Sequence, residues 1–222
     1  MAWRLGLIDS CGTWPGAIEA AAFAGEGGRV VQRATVPDPS GHGSRIANVL
    51  LAGNGPCELL LGQVFLDAGP TTGAAVAAAV DWTVARGARL IHLSLGLAAD
   101  RAVLAAALAR AIEAGCVVVA ATPARGAPVY PAAYSGVIRA TGDARCAPGE
   151  WSCLGPWLFG GCPRLSGFGQ TDRGGGASIG AAWVSRTILS GAANATASAV
   201  AAALTGGARH FGPERKKPGS AA

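Results

Sequence analysis

Residues 89–121 read RLIHLSLGLAADRAVLAAALARAIEAGCVVVAA. Arg89–Leu93 and Cys116–Ala121 are short, mostly apolar runs, and between them apolar residues recur at 103, 104, 107, 108, 111 and 112. That recurrence is the period of a helix buried along one side. A strand without polar alternation, such as Val117-Val118-Val119-Ala120, is expected where helices cover both of its faces. The stretch therefore predicts an α/β domain of three layers, a mostly parallel central sheet flanked by helices.

The alternation continues in both directions. Trp3–Ile8, Val30–Val36, Glu58–Phe65 and Gly136–Thr141 read as further strands. Gly16–Ala24, Arg45–Ala52, Thr72–Arg86, Ser178–Ser190 and Thr196–Leu204 read as helices. Between Cys146 and Gly176 the period is lost and Gly, Pro, Trp and Cys dominate, which reads as a long functional loop. Its aromatic part, with Trp151, Trp157 and Phe159 between Cys146 and Cys162, is either a hydrophobic plug over the sheet edge or a surface for docking a protein partner. With no repeat and no linker, the expectation is one domain over residues 1–208. A basic, Pro- and Gly-containing tail over 209–222 is expected to be mobile.

Composition agrees with a folded, closely packed domain. Charged residues make up 14% of the 222, against about 25% in an average soluble domain, which excludes a disordered chain. Forty-nine alanines and 34 glycines predict close helix–sheet contacts through small side chains. The net charge of +5 does not indicate nucleic-acid binding, because Arg209, His210, Arg215, Lys216 and Lys217 crowd the last fourteen residues. No apolar run approaches the roughly 18–20 residues of a membrane span, and Met1–Ile8 lacks the sections of a secretory signal, so a cytoplasmic location is expected. The six cysteines match no tight metal motif and read as structural thiols; no cofactor or metal is expected.

Three segments carry chemistry. Leu7-Ile8-Asp9-Ser10 sets a carboxylate at the C-terminal end of the first strand, the edge where open α/β sheets gather their ligands. Ser40-Gly41-His42-Gly43-Ser44 sets an imidazole between glycines at a helix start. Gly174-Gly175-Gly176-Ala177-Ser178-Ile179-Gly180 delivers a serine to a helix N-terminus, whose free N–H groups favour negative charge. Taken singly, these are a turn residue, a surface histidine and an N-cap. Together they are what acyl transfer needs: a nucleophile, a base to take its proton, and a carboxylate to fix the tautomer of the base. The order Asp, His, Ser is one of the few known for such triads.

On these residues the sequence resembles the subtilisin-like serine proteases, the subtilases. The Asp box is similar to the family's I-D-[ST]-G, with Cys11 inserted before Gly12, and G-H-G-S-R-I-A around His42 is similar to G-H-G-T-x-V-A. Ile91–Gly96 resembles the strand lining the substrate cleft, and Gly176–Gly180 stands where the family has G-T-S-M-A. The resemblance runs from about Trp3 to Leu204. It implies a seven-stranded parallel sheet, with Ser178 as nucleophile, His42 as base and then acid, and Asp9 orienting His42. Ser94, Leu95, Gly96 and Leu97 would bind an extended peptide, Leu97 with Thr122 narrowing the first pocket. Where the family places its oxyanion asparagine, this chain has Ala124, leaving Thr122 and the N–H of Ser178 as donors. A proline usual after the serine is replaced by Ala182, with Trp183 next, and no carboxylates cluster as the family's calcium sites require.

With eight residues ahead of Asp9 and neither signal nor prodomain, the resemblance implies a compact protease suited to limited cleavage of a precursor, such as leader removal. Similar compact proteases serve modified-peptide pathways, including maturation of the small subunit of quinohemoprotein amine dehydrogenase. The alternatives are a catalytically impaired subtilase that binds peptide as a chaperone or adaptor, and another acyl transfer, esterase or ligase, on the same site.

Overall fold

The computed structural model describes residues 2–53, 57–67, 69–127, 129–165 and 176–213. Among them ten strands form one sheet: β1 (Trp3–Asp9), β2 (Ala17–Glu26), β3 (Arg29–Arg33), β4 (Cys57–Gln63), β5 (Leu90–Leu93), β6 (Val117–Ala121), β7 (Ile138–Gly142), β8 (Trp151–Gly155), β9 (Leu158–Gly161) and β10 (His210–Phe211). Five helices accompany them: α1 (His42–Leu51), α2 (Gly73–Ala85), α3 (Ala102–Glu113), α4 (Ala177–Leu189) and α5 (Ala197–Gly206). The strand order is β10-β8-β9-β7-β6-β5-β1-β4-β2-β3. Seven contiguous strands, β9 through β2 in that order, are mutually parallel, as the resemblance implies. β3 and β8 add antiparallel borders.

The two faces have separate cores. Leu5, Leu7, Val117 and Val119 point toward α1, α4 and α5, with Ile46, Ile179 and Val184 packed on them. Ile8, Leu60, Ile91 and Val118 point the other way, toward Val76, Val80, Leu104 and Leu108 of α2 and α3. The continuous apolar strands are thus covered on both sides, and α4 approaches closely because of its small residues. A Cβ at Gly180 would lie 2.2 Å from the Thr141 carbonyl oxygen, so any other residue would push the helix off β7.

Three expectations need correction. Gly16–Ala24 is not a helix: Ala17–Glu26 is strand β2, parallel to β4 and antiparallel to β3. Alanine-rich sequence favours helix only weakly, and two partner strands override it. Cys146–Gly176 is not one long loop, because β8 and β9 pair there and extend the sheet. The turn between them holds Trp157 at φ 55°, and Phe159 is fully buried in the core. That favours the plug. The tail does not loosen at Arg209, since His210–Phe211 pairs with β8 and the Arg145 guanidinium donates to the Gly212 carbonyl at 2.8 Å. Residues 214–222, the rest of that tail, and Gly174-Gly175 lie outside the described residues. All six cysteines are free thiols, and burial pushes those of Cys57 and Cys146 up to about 11. Among the described residues no helix is long and apolar enough to cross a membrane.

Candidate active site

β1 ends at Asp9, beside β5, and places its carboxylate at the C-terminal edge of the parallel strands with 2% of the residue exposed. Asp9 Oδ1 lies 2.8 Å from His42 Nδ1 and accepts the Ser10 N–H at 2.6 Å. The Ser10 N–H can only donate, so it fixes an acceptor at Oδ1, and His42 Nδ1 carries the proton. That tautomer leaves Nε2 with a free lone pair. The other oxygen, Oδ2, is buried without a hydrogen-bond partner. Burial alone would lower the His42 pKa, but the hydrogen bond and charge of Asp9 outweigh it and hold the imidazole above its ordinary value.

His42 is the first residue of α1, and two groups the sequence did not single out hold it there. Asp38 caps the helix, accepting from Gly41 N–H at 2.9 Å, Ser44 N–H at 2.8 Å and the Ser44 hydroxyl at 2.6 Å. Burial would raise its carboxyl, yet these donors hold it below its usual range. Ser10 Oγ accepts the Gly43 N–H at 2.9 Å and lies 3.0 Å from Ser40 Oγ, tying the end of β1 to the start of α1. Gly43 permits the approach, because a Cβ there would fall 2.3 Å from the Cys11 nitrogen.

Ser178 is the second residue of α4 and half-buried. Its hydroxyl donates to the Ser94 carbonyl at 3.4 Å rather than to His42. Such a bond is long, and unliganded sites often hold their groups this way before substrate tightens them. α4 runs unbroken from Ala177 to Leu189, with Ala182 and Trp183 buried inside it, so the missing proline leaves the helix intact.

Ser94, Leu95 and Gly96 continue from β5 and line a hollow of about 320 Å³ that also touches His42 and Asp9. Gly96 is exposed. The Leu97 N–H donates to the Tyr130 carbonyl at 2.6 Å and its own carbonyl accepts the Tyr130 N–H at 2.9 Å, so the backbone beyond Gly96 is already paired. Thr122 and Ala124 line a second hollow of about 360 Å³, where Ala124 is exposed and the Thr122 N–H is engaged by Ala140. The Ser178 N–H, in the first turn of α4, belongs to the set that no helical carbonyl satisfies.

No protein-family model and no curated protein matches the sequence. Among solved structures, the chain is similar to a serine-to-alanine mutant of the protease domain of PatA, at 18% identity and a TM-score of 0.61, over 84% of this chain and 78% of that one. It is also similar to the prenylagaramide maturation protease PagA, at 18% identity and a TM-score of 0.56, over 83% of this chain and 72% of the other. At such identity the likeness is one of architecture, and the chain has the subtilisin-like α/β fold of these protease domains.

Proposed function

We propose that this chain is a serine endopeptidase of narrow specificity that cleaves a precursor polypeptide through an acyl-enzyme on Ser178. One observation carries the proposal: Asp9 and His42 are joined at 2.8 Å, in the tautomer a general base requires, on the same sheet edge as Ser178. The fold shared with two proteases, one of them a maturation protease, supports the substrate class.

In the proposed reaction an extended peptide pairs with the backbone of Ser94–Gly96, adding a strand. Its N–H groups compete for the Ser94 carbonyl and release the Ser178 hydroxyl toward His42. Ser178 Oγ then attacks the peptide carbonyl carbon while His42 Nε2 takes its proton. The charge of Asp9 favours the imidazolium so formed. His42 returns the proton to the leaving amine as the C–N bond breaks, and water, deprotonated by His42, hydrolyses the ester. The oxyanion is met by the Ser178 N–H, with the Thr122 hydroxyl, not its engaged N–H, as second donor in place of the amide that Ala124 lacks.

A serine-reactive phosphonate tests the proposal by intact mass. One adduct on the wild type, absent from Ser178→Ala, is expected. Ala124 favours a second reading, a peptide-binding chaperone or adaptor without turnover, and a folded wild type that takes no adduct would replace the protease with it.

A further inference from the structure

His92 is fully buried in β5, and Ser185 is fully buried in α4. His92 Nδ1 lies 2.8 Å from Ser185 Oγ, and Nε2 lies 2.7 Å from Ser94 Oγ. Ser94 and His92 are two apart along an extended segment and share a side of it. Ser178 and Ser185 are seven apart in α4 and share a helix face. Two polar contacts therefore join strand to helix across an otherwise apolar interface that includes Leu7, Val119, Ile179 and Ala182. One runs from Ser185 through His92 to Ser94, the other from the Ser178 hydroxyl to the Ser94 carbonyl.

An imidazole in this position is not needed for packing, since a leucine would fill a similar volume without polar atoms to satisfy. Burial, with the nearby charge of His42 adding to it, pushes the His92 pKa down to about 3, so the ring is neutral at neutral pH. A neutral imidazole has one donor and one acceptor on opposite sides. Each is matched by a hydroxyl, which can donate or accept, so the chain of three is satisfied in either tautomer. A rigid planar ring held at both ends fixes the separation of the groups it joins.

We infer that His92 and Ser185 are positioning residues that set Ser94 against Ser178, fixing the substrate-pairing carbonyl and the nucleophile in one frame. The inference rests on the proposed protease reading for its consequence and on the hydrogen-bonded chain for its geometry. His92 touches no substrate. It acts through Ser94 on one side and through the α4 backbone on the other.

The test uses His92→Leu, Ser185→Ala and the conservative His92→Asn, each checked for folding by its thermal transition. With a phosphonate probe, the expected result for His92→Leu is a maximal inactivation rate about 10- to 100-fold lower, with the half-saturating probe concentration little changed. Ser185→Ala should lose less, the two changes combined should be far from additive, and His92→Asn should recover part of the rate. Amide hydrogen exchange supplies a second readout, with faster exchange expected at Ser94–Leu97 in His92→Leu. A folded His92→Leu that reacts like the wild type overturns the inference while leaving the protease proposal standing. If the wild type itself does not react, the protease proposal fails, and unaltered exchange at Ser94–Leu97 in His92→Leu then overturns the inference on its own.

Discussion

Asp9→Asn removes a charge while leaving a side chain of the same shape. In a serine-protease triad elsewhere, this change inverts the tautomer of the histidine. Here the Ser10 N–H points at Oδ1 from 2.6 Å and requires an acceptor there, so the asparagine carbonyl must occupy that position. The amide nitrogen falls where Oδ2 now sits, buried and without a partner. His42 therefore keeps its proton on Nδ1, and the loss is electrostatic. A carboxylate and an imidazolium about 4 Å apart, centre to centre, attract by about 4 kcal/mol at the effective dielectric constant of about 20 suited to a half-exposed ring. Losing that in the transition state slows the reaction about 10³-fold. The buried, unpaired NH₂ costs a further 1–3 kcal/mol or so of stability. The assay is the rate of phosphonate adduct formation by intact mass, beside a thermal transition and a proton NMR titration of His42. Its pKa should fall toward the ordinary value or below. A rate within tenfold of the wild type, or an unmoved His42 titration, would refute the role given to Asp9.

Asp38→Ala strips α1 of its cap and should lower stability by about 2 kcal/mol, a fall of roughly 4–8 °C in the thermal transition of a chain this size. Asp143, pulled below its ordinary value despite burial by Arg145 and Ser152, sits at about 2. Its contribution is complete above the unfolded value and lost as pH falls from about 4 to about 2. Asp143→Asn should therefore cost about 2 kcal/mol at neutral pH, and the gap should close in acid denaturation curves. The His42–Asp9 pair has the opposite sign: its raised folded pKa stabilises at low pH and fades as pH rises through that value, so the stability gap to Asp9→Asn should narrow with rising pH. Gly43→Ala drives a methyl into Cys11 and should destabilise by about 1–3 kcal/mol while separating His42 from Asp9, read from denaturant curves and loss of the His42 pKa elevation.

The central strands were legible because burial on two faces leaves an apolar run with nothing else to mean. Asp9, His42 and Ser178 stand out as candidates because each sits in a short glycine-containing box at a strand end or helix start, which topology sends to one edge. β2 was not legible, since Ala20, Ala21 and Ala22 have no β preference of their own and are strand only through β4 and β3. β8 and β9 escaped because glycines at 155, 160 and 161 leave too few side chains to show an alternation. His92 stands in the segment that resembles the cleft strand, where the sequence alone gives it no role. Its signal was a lone histidine within an apolar strand, but the partner that gives it meaning is 93 residues away.

The order of strands has a consequence for biosynthesis. β1 emerges first yet lies in the middle of the sheet, between β4 and β5. Asp9 must find His42 33 positions on, Ser94 must wait for Ser178 another 84 positions on, and the Trp3 indole closes on the Gly191 carbonyl 188 residues away. Loops of that span make folding slow. They also mean that no partial chain on the ribosome holds the three residues together. Whatever activity the site possesses arrives late and all at once, when α4 docks, so an incomplete chain is born harmless to its neighbours.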